Sequence, residues 1–368
     1  MRCSWARLGA VAVAATLVAA CAGPGGSPEE TAGAGADLVP LSQVEPAADP
    51  KALKGPSTAT LADRAVEPVA DSPKQSLPVT VTSKDRAGDR KVVVKDTSRV
   101  VAMNLSGSIA TTVWGLGLGE TLVGRDQAAE IPGTRKIPVV TSGGHSVNAE
   151  AVLDLEPTLV ITDGSVGPRD VVEQLRDAGV TVVFIDDDSS FDGAQQMARD
   201  VAAVYGVPET GKLLAQQIDE QVEAVQQEVE RIAPEKESDR LRMIFLYLRG
   251  SAGIYYLFGE ESGADDLIDG LGGVDVAEEL GWEGMRPMTD EAIVEADPDV
   301  ILVMTDGIRS TGGVDGLLAD KPAIALTTAG KNRRFVDMAD SDILSFGPRS
   351  AGVVDALARA VYAPEPPS

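Results

Sequence analysis

The sequence predicts an α/β protein of two similar lobes joined by a single long helix, and three observations carry that expectation. Strand-like and helix-like patterns alternate from Arg99 to Ile185 and resume from Leu241 to the C-terminus. Between them, Leu213, Leu214, Ile218, Val222, Val225 and Val229 recur at helical spacing with charges between them. The third observation is a weak internal repeat. Glu150-Ala-Val-Leu-Asp-Leu-Glu-Pro157-Thr-Leu-Val-Ile161 matches Glu291-Ala-Ile-Val-Glu-Ala-Asp-Pro298-Asp-Val-Ile-Leu302 in its Glu, Ala, Pro and apolar positions.

In chain order, residues 1–20 read as a secretory signal: Arg2 and Arg7, then an apolar run from Leu8 to Ala20 too short to span a bilayer. The run closes on Leu17-Val18-Ala19-Ala20-Cys21, which resembles the bacterial lipobox. That resemblance implies acylation of Cys21 and anchoring of an extracytoplasmic lipoprotein. Residues 21–76 are rich in Ala, Pro, Gly, Ser, Asp and Glu without periodicity, and read as a disordered tether. Such a tether reaches about 40 Å.

The N-terminal lobe is expected over 77–207. It opens with a hairpin, Leu77-Pro-Val-Thr-Val-Thr against Lys91-Val-Val-Val-Lys95, followed by a strand at Arg99–Met103 and a helix from Gly107 to Leu118. A strand near Leu122, a helix near Glu150, a strand at Thr158–Thr162, a helix from Pro168 to Ala178 and a strand at Val180–Ile185 follow. Ala194–Tyr205 reads as a helix that closes the lobe. The linking helix takes 208–234 and the C-terminal lobe 235–368.

Composition narrows the function classes. Only Cys3 and Cys21 exist, and Cys3 leaves with the signal, so the mature chain has no internal disulfide. The formal net charge of −25 argues against nucleic acid and against docking on anionic lipid.

From Arg99 onward the chain resembles the class of periplasmic-type binding proteins that serve siderophore, cobalamin and haem importers. The matched elements are Val123-Gly-Arg-Asp, Glu150…Pro157-Thr-Leu-Val-Ile, Leu271-Gly-Gly-Val-Asp-Val-Ala, Glu291…Pro298-Asp-Val-Ile-Leu and Phe346-Gly-Pro-Arg349. The resemblance implies a class III periplasmic-binding-protein fold, in which two Rossmann-like lobes hold cargo between them. It implies no enzyme activity. An ABC permease dimer with its cytoplasmic ATPase is the implied partner, met by one acidic residue on each lobe, here Glu150 and Glu291. Both glutamates equally suit a helix N-terminus, where the dipole favours negative charge.

The cargo residues stand on two features. His145 is the chain's one histidine, in the Gly-rich loop Thr141-Ser-Gly-Gly-His-Ser-Val-Asn just before the Glu150 helix. Tyr247 and Arg249 lie two apart on a strand and so share a face. This pattern is similar to that of actinobacterial haem-binding lipoproteins of the HmuT type. The similarity implies ferric haem b as transported ligand, with His145 and Tyr247 as axial ligands and Arg249 hydrogen-bonding the phenolate. A phenol ionises near pH 10 in water, so anionic ligation relies on ferric iron and a neighbouring cation.

Met304, Tyr255 and Tyr256 are the candidate cleft-wall residues. Met304 equally suits a core, and the two tyrosines equally suit a hairpin continuing from Gly253. Arg169 and Arg309 are candidate propionate partners, and surface haem-donor proteins are candidate sources of cargo. Ferric-siderophore or cobalamin capture is the alternative within the class. Bare Mn(II) or Zn(II) capture wants more His ligands than one. A hydrolase would need a nucleophile motif such as Gly-x-Ser-x-Gly, which the chain lacks.

Overall fold

Short buried runs of aliphatic residues, bounded by Gly and Pro turns, set the strands, and amphipathic stretches set the helices between them. The computed structural model describes residues 39–143, 146–186 and 188–364. The signal, Cys21 and His145 lie outside the described residues.

Among the described residues the first strand is β1 (Ser57–Ala59), followed by the hairpin β2 (Val79–Ser83) and β3 (Arg90–Val94). Next come β4 (Val100–Met103), α1 (Ser108–Gly115), β5 (Leu122–Arg125), β6 (Thr141–Ser142), β7 (Ser146–Val147) and α2 (Ala149–Leu153). β8 (Leu159–Thr162), α3 (Asp170–Asp177) and β9 (Thr181–Phe184) complete a parallel sheet of order β5-β4-β8-β9. Period-two alternation divides its core. Val100 and Ala102 face α1 and α4 (Phe191–Val204), whereas Val101 and Met103 face α2 and α3.

α5 (Pro208–Ile232) is the expected long helix, opened by a proline at its first turn. Leu214, Ala215, Ile218 and Val222 pack into the first core, while Val229 and Ile232 pack into the second. One amphipathic stripe therefore serves both cores in succession.

The second half holds β10 (Arg242–Arg249), β11 (Ile254–Phe258), α6 (Ala264–Gly270), β12 (Val274–Asp275), α7 (Val276–Glu279), β13 (Met285–Pro287) and α8 (Asp290–Ala296). It continues through β14 (Val300–Met304), α9 (Thr305–Ser310), α10 (Gly313–Asp320), α11 (Thr328–Asn332), β15 (Phe335–Met338) and α12 (Ser350–Tyr362). Its sheet runs β1-β15-β14-β10-β11-β13, with β12 also on β10. β1, β15, β14 and β10 are parallel; β11 and β13 are antiparallel additions.

The tether expected over 21–76 needs correction for residues 39–76, which are structured. Leu41, Ala59 and Leu61 are buried in the second core, and β1 pairs in parallel with β15. Arg334, 2% exposed, donates to Gly55 O, Ser57 Oγ and the carbonyls of Ala360 and Val361. Further on, the Val69 amide donates to Gly115 O and the Ser76 amide to Gly206 O, both in the first half. At Gly117 a Cβ would lie 2.0 Å from Ala70 O, so only glycine admits the segment there. Residues 39–76 thus form a strap from the second sheet to the first. Periodicity missed it because a strap docks through scattered single side chains on structure built elsewhere.

The connection from β15 to α12 also returns to the first half. Phe346 lies in the first core, edge-on to Phe191 at 5.4 Å. Next to it, Arg349 and Asp342 form a buried ion pair at 2.7 Å.

Candidate functional site

In open α/β sheets, ligands bind beyond the carboxyl ends of the parallel strands. On the first sheet those ends carry a connected polar shelf. The Asn104 side chain donates to Ser106 Oγ (2.9 Å) and Ser108 Oγ (3.0 Å), and its amide donates to Asp126 Oδ2 (3.2 Å). Asp126 Oδ1 accepts from the Ala129 amide at 2.8 Å. Burial pushes the Asp126 carboxyl up to about 6 against these stabilising amides. Asp163 accepts from the Ser165 amide and hydroxyl, and that hydroxyl accepts from the Leu105 amide.

The segments flanking His145 are anchored on both sides. The Gln127 amide donates to Thr141 Oγ1 in β6 (2.9 Å), and the Val147 amide in β7 donates to Gly167 O (2.6 Å). The buried Arg125 pins the loop beneath, donating to the carbonyls of Thr134, Asp126 and Gln127. His145 itself lies outside the described residues.

On the second sheet, register assigns the faces. Phe245 pairs with Phe258, and Tyr247 with Tyr256, so these four share one face with Leu302 and Met304 of β14. Tyr247 is half-buried, its ring stacked on Phe258 at 5.8 Å; Phe258 stacks in turn on Phe245 at 5.0 Å. The Arg249 guanidinium lies over the Tyr247 ring, 4.7 Å from its centroid. It donates to Asp340 Oδ2 (2.7 Å), Leu248 O (2.9 Å) and, more weakly, Met304 Sδ (3.7 Å). Tyr247, Arg249 and Met304 therefore meet, and Tyr256 stands beside them. Arg249 covers the ring face, whereas the resemblance implied a hydrogen bond to the phenol oxygen.

Tyr255 corrects one cleft-wall expectation. It pairs with Leu248, faces the opposite side of the sheet, and is buried among Ile244, Leu246 and Leu257. Its hydroxyl donates to Asp320 Oδ2 at 2.7 Å, and Lys321 sits 4.3 Å from its ring centroid. Burial first, then the hydrogen bond to Asp320 and its charge, push the phenol up to about 12. Strand alternation allows only one of two adjacent tyrosines onto the Tyr247 face, and hairpin register makes it Tyr256.

Asp340 went unnoticed in the sequence because no motif contains it. It follows β15 in the loop and meets Arg249 only through the fold. Burial raises its carboxyl above the usual range, while the Asp306 amide and Arg249 pull it back. Arg169 and Arg309 are exposed, and Arg309 pairs with Asp306 at 3.6 Å.

Glu150 and Glu291 occupy matching places in the two repeat units. Each is exposed, one residue inside its helix; Asn148 caps α2 and Thr289 caps α8 through side-chain oxygens. A groove of about 460 Å³ lies elsewhere, between α4, α5 and α6, lined by Asp188, Asp192, Asp219, Glu223 and Asp266. Its carboxylates would repel an anionic cargo, and neither Tyr247 nor Arg249 reaches it. Among the described residues no group of three or more His, Cys, Asp or Glu could hold a metal ion, and no helix is long and apolar enough to cross a membrane.

Comparison with known proteins gives this geometry its context. A family model described as periplasmic binding protein matches residues 102–341. The uncharacterised ABC transporter substrate-binding lipoprotein YvrC of Bacillus subtilis (strain 168) is 26% identical over 273 residues, covering 73% of this chain and 82% of that one. A cobalamin-binding protein of Halobacterium salinarum is 27% identical over 267 residues, 72% of this chain and 68% of its own. Among solved structures, the haem-binding protein HmuT is 41% identical over 86% of this chain and 99% of its own, with a TM-score of 0.78. Variants of HmuT have also been solved with one histidine, one tyrosine, or the arginine two positions after that tyrosine changed to alanine.

Proposed function

Since the chain belongs to the periplasmic binding protein family, we propose that it captures ferric haem and delivers it to an ABC permease. The observation that carries this is the cluster at the carboxyl end of β10: Tyr247 stacked on Phe258, Arg249 over its ring, and Met304 alongside. The same Tyr-x-Arg spacing was singled out for substitution in HmuT, together with a histidine. This chain holds one histidine, His145, which in sequence falls between the anchored segments at Thr141 and Val147.

In this reading Tyr247 and His145 supply the two axial ligands of the cargo iron. Arg249 offers the positive charge that favours a tyrosinate, and an anionic oxygen ligand favours ferric over ferrous iron. Phe258 and Phe245 hold the tyrosine ring in place, and Met304 and Tyr256 present apolar surface to the porphyrin. The protein carries cargo and performs no bond chemistry on it. Glu150 and Glu291 are the docking acids for the permease. Cys21 carries the lipid that keeps the protein outside the cytoplasm, tied to the membrane.

Optical titration tests this. Haem added to the purified protein should give a Soret band with a sharp stoichiometric break. His145→Ala and Tyr247→Ala should each shift that band and speed haem loss; unchanged spectra and off-rates in both would sink the ligand assignment. The similarity to a cobalamin-binding protein favours one second reading, cobalamin as cargo. Saturable binding of cobalamin with no response to haem would decide for it.

A further inference from the structure

Arg249 is held by a carboxylate far away in the chain. Asp340 Oδ1 accepts from the Asp306 amide in the first turn of α9 at 2.9 Å, and Oδ2 accepts from Arg249 Nη2 at 2.7 Å. The carboxylate is therefore fixed by backbone on one side and grips the arginine with the other. α9 comes close enough because residue 307 is glycine: a Cβ there would lie 2.9 Å from Leu248 O and 3.2 Å from Arg249 Nη1. Both side chains are largely shielded, at 29% exposed for Arg249 and 23% for Asp340.

An unrestrained arginine spreads over many rotamers, and ordering it in a complex takes up part of the binding energy. Here contacts within the protein supply that ordering. A guanidinium has five N–H donors. Asp340, Leu248 O and Met304 Sδ engage the two terminal nitrogens and leave donors for a further acceptor.

We propose that Asp340 is a positioning residue for cargo capture: it holds Arg249 beside Tyr247, with donors to spare for the Tyr247 oxygen. This rests on the haem reading above. Asp340 never touches the cargo and acts only through Arg249.

Asp340→Asn separates positioning from a structural role, since the amide oxygen still caps the Asp306 N–H while the charge-assisted grip on Arg249 is lost. The melting temperature should stay within a few degrees of the original, and haem should dissociate about tenfold faster, equivalent to roughly 1.4 kcal/mol. In an Arg249→Ala background the same substitution should change the off-rate less than twofold. In cargo-free protein, nitrogen NMR should show the slowed Arg249 guanidinium signals of an ion pair, merging with those of exposed arginines in Asp340→Asn. Equal acceleration with and without Arg249, or unaltered off-rate and NMR signals in Asp340→Asn, would overturn the proposal. Failure of the unaltered protein to bind haem would instead strike the haem reading and take the proposal with it. Bound haem indifferent to Asp340 strikes only the proposal.

Discussion

Arg64 donates to Asp342 Oδ2 at 2.6 Å across 278 residues of chain, while Arg349 donates to the other oxygen of the same carboxylate at 2.7 Å. Asp342 is fully buried and Arg349 nearly so. The strap is thus tied partway along its length, by an Arg–Asp–Arg bridge, to the loop that returns to the first core.

The two arginines of this bridge should differ in their partner's absence. Asp342→Ala leaves Arg349 charged in a buried site, where burial already lowers its proton affinity. It should cost about 3–5 kcal/mol. Arg64→Ala removes the partly exposed partner and leaves Arg349 paired, costing about 1 kcal/mol. Urea denaturation of both variants checks the ranking, and equal losses would contradict it.

Shortening the chain separates strap from tether. A protein starting at residue 39 should match the longer chain in stability. One starting at residue 77 loses the buried side chains of Leu41, Leu61 and Val66 and strips Arg334 of Gly55 O and Ser57 Oγ. At about 1.5–3 kcal/mol per buried aliphatic side chain, roughly 5 kcal/mol or more should disappear. Calorimetry of the two proteins measures it, and indistinguishable melting curves would restore the tether.

Acid should favour the fold through Asp126. Its carboxyl ionises at 3.8 in the reference state and is raised by burial to about 6 in the folded chain. Between those values the folded state binds the extra proton, so stability from this group falls as pH rises and the full penalty stands above the window. The limit is about 3 kcal/mol. Urea midpoints at pH 5 and pH 7 should therefore differ less in Asp126→Asn than in the parent protein. An identical pH slope in the variant would show that Asp126 does not set it.

Reversing both docking acids, Glu150→Lys with Glu291→Lys, should leave haem affinity within twofold. Opposing the helix N-termini costs about 0.3–1 kcal/mol each. Uptake by cells should be abolished. Loss of haem binding in the purified variant would instead make these residues structural.

Much of this was legible in the sequence for identifiable reasons. α5 showed itself because Leu214, Ile218, Val222, Val225 and Val229 had to keep one face across two cores, with only Leu213 of the pattern exposed, and the repeat because each half needs the same capped helix feeding a buried strand. Tyr247 and Arg249 shared a face by parity alone. Choosing between Tyr255 and Tyr256 required the register of β10 on β11, set by the turn at residues 250–253. Asp340 required knowing that β15 ends beside β10's neighbour, a relation of tertiary origin with no local trace. The strap's apolar residues were visible singly, but nothing local says what a lone Leu41 or Val66 docks on.

β1 has a consequence beyond holding the strap. It is three residues long, yet it occupies the open flank of β15, where unpaired backbone groups of a parallel sheet would otherwise face water. Such a flank recruits strands from other molecules. The strap therefore acts as the sheet's own terminator. A chain whose first residues are clipped or slow to dock would present a template for self-association, so solubility, as much as stability, depends on Ser57, Thr58 and Ala59 reaching their places.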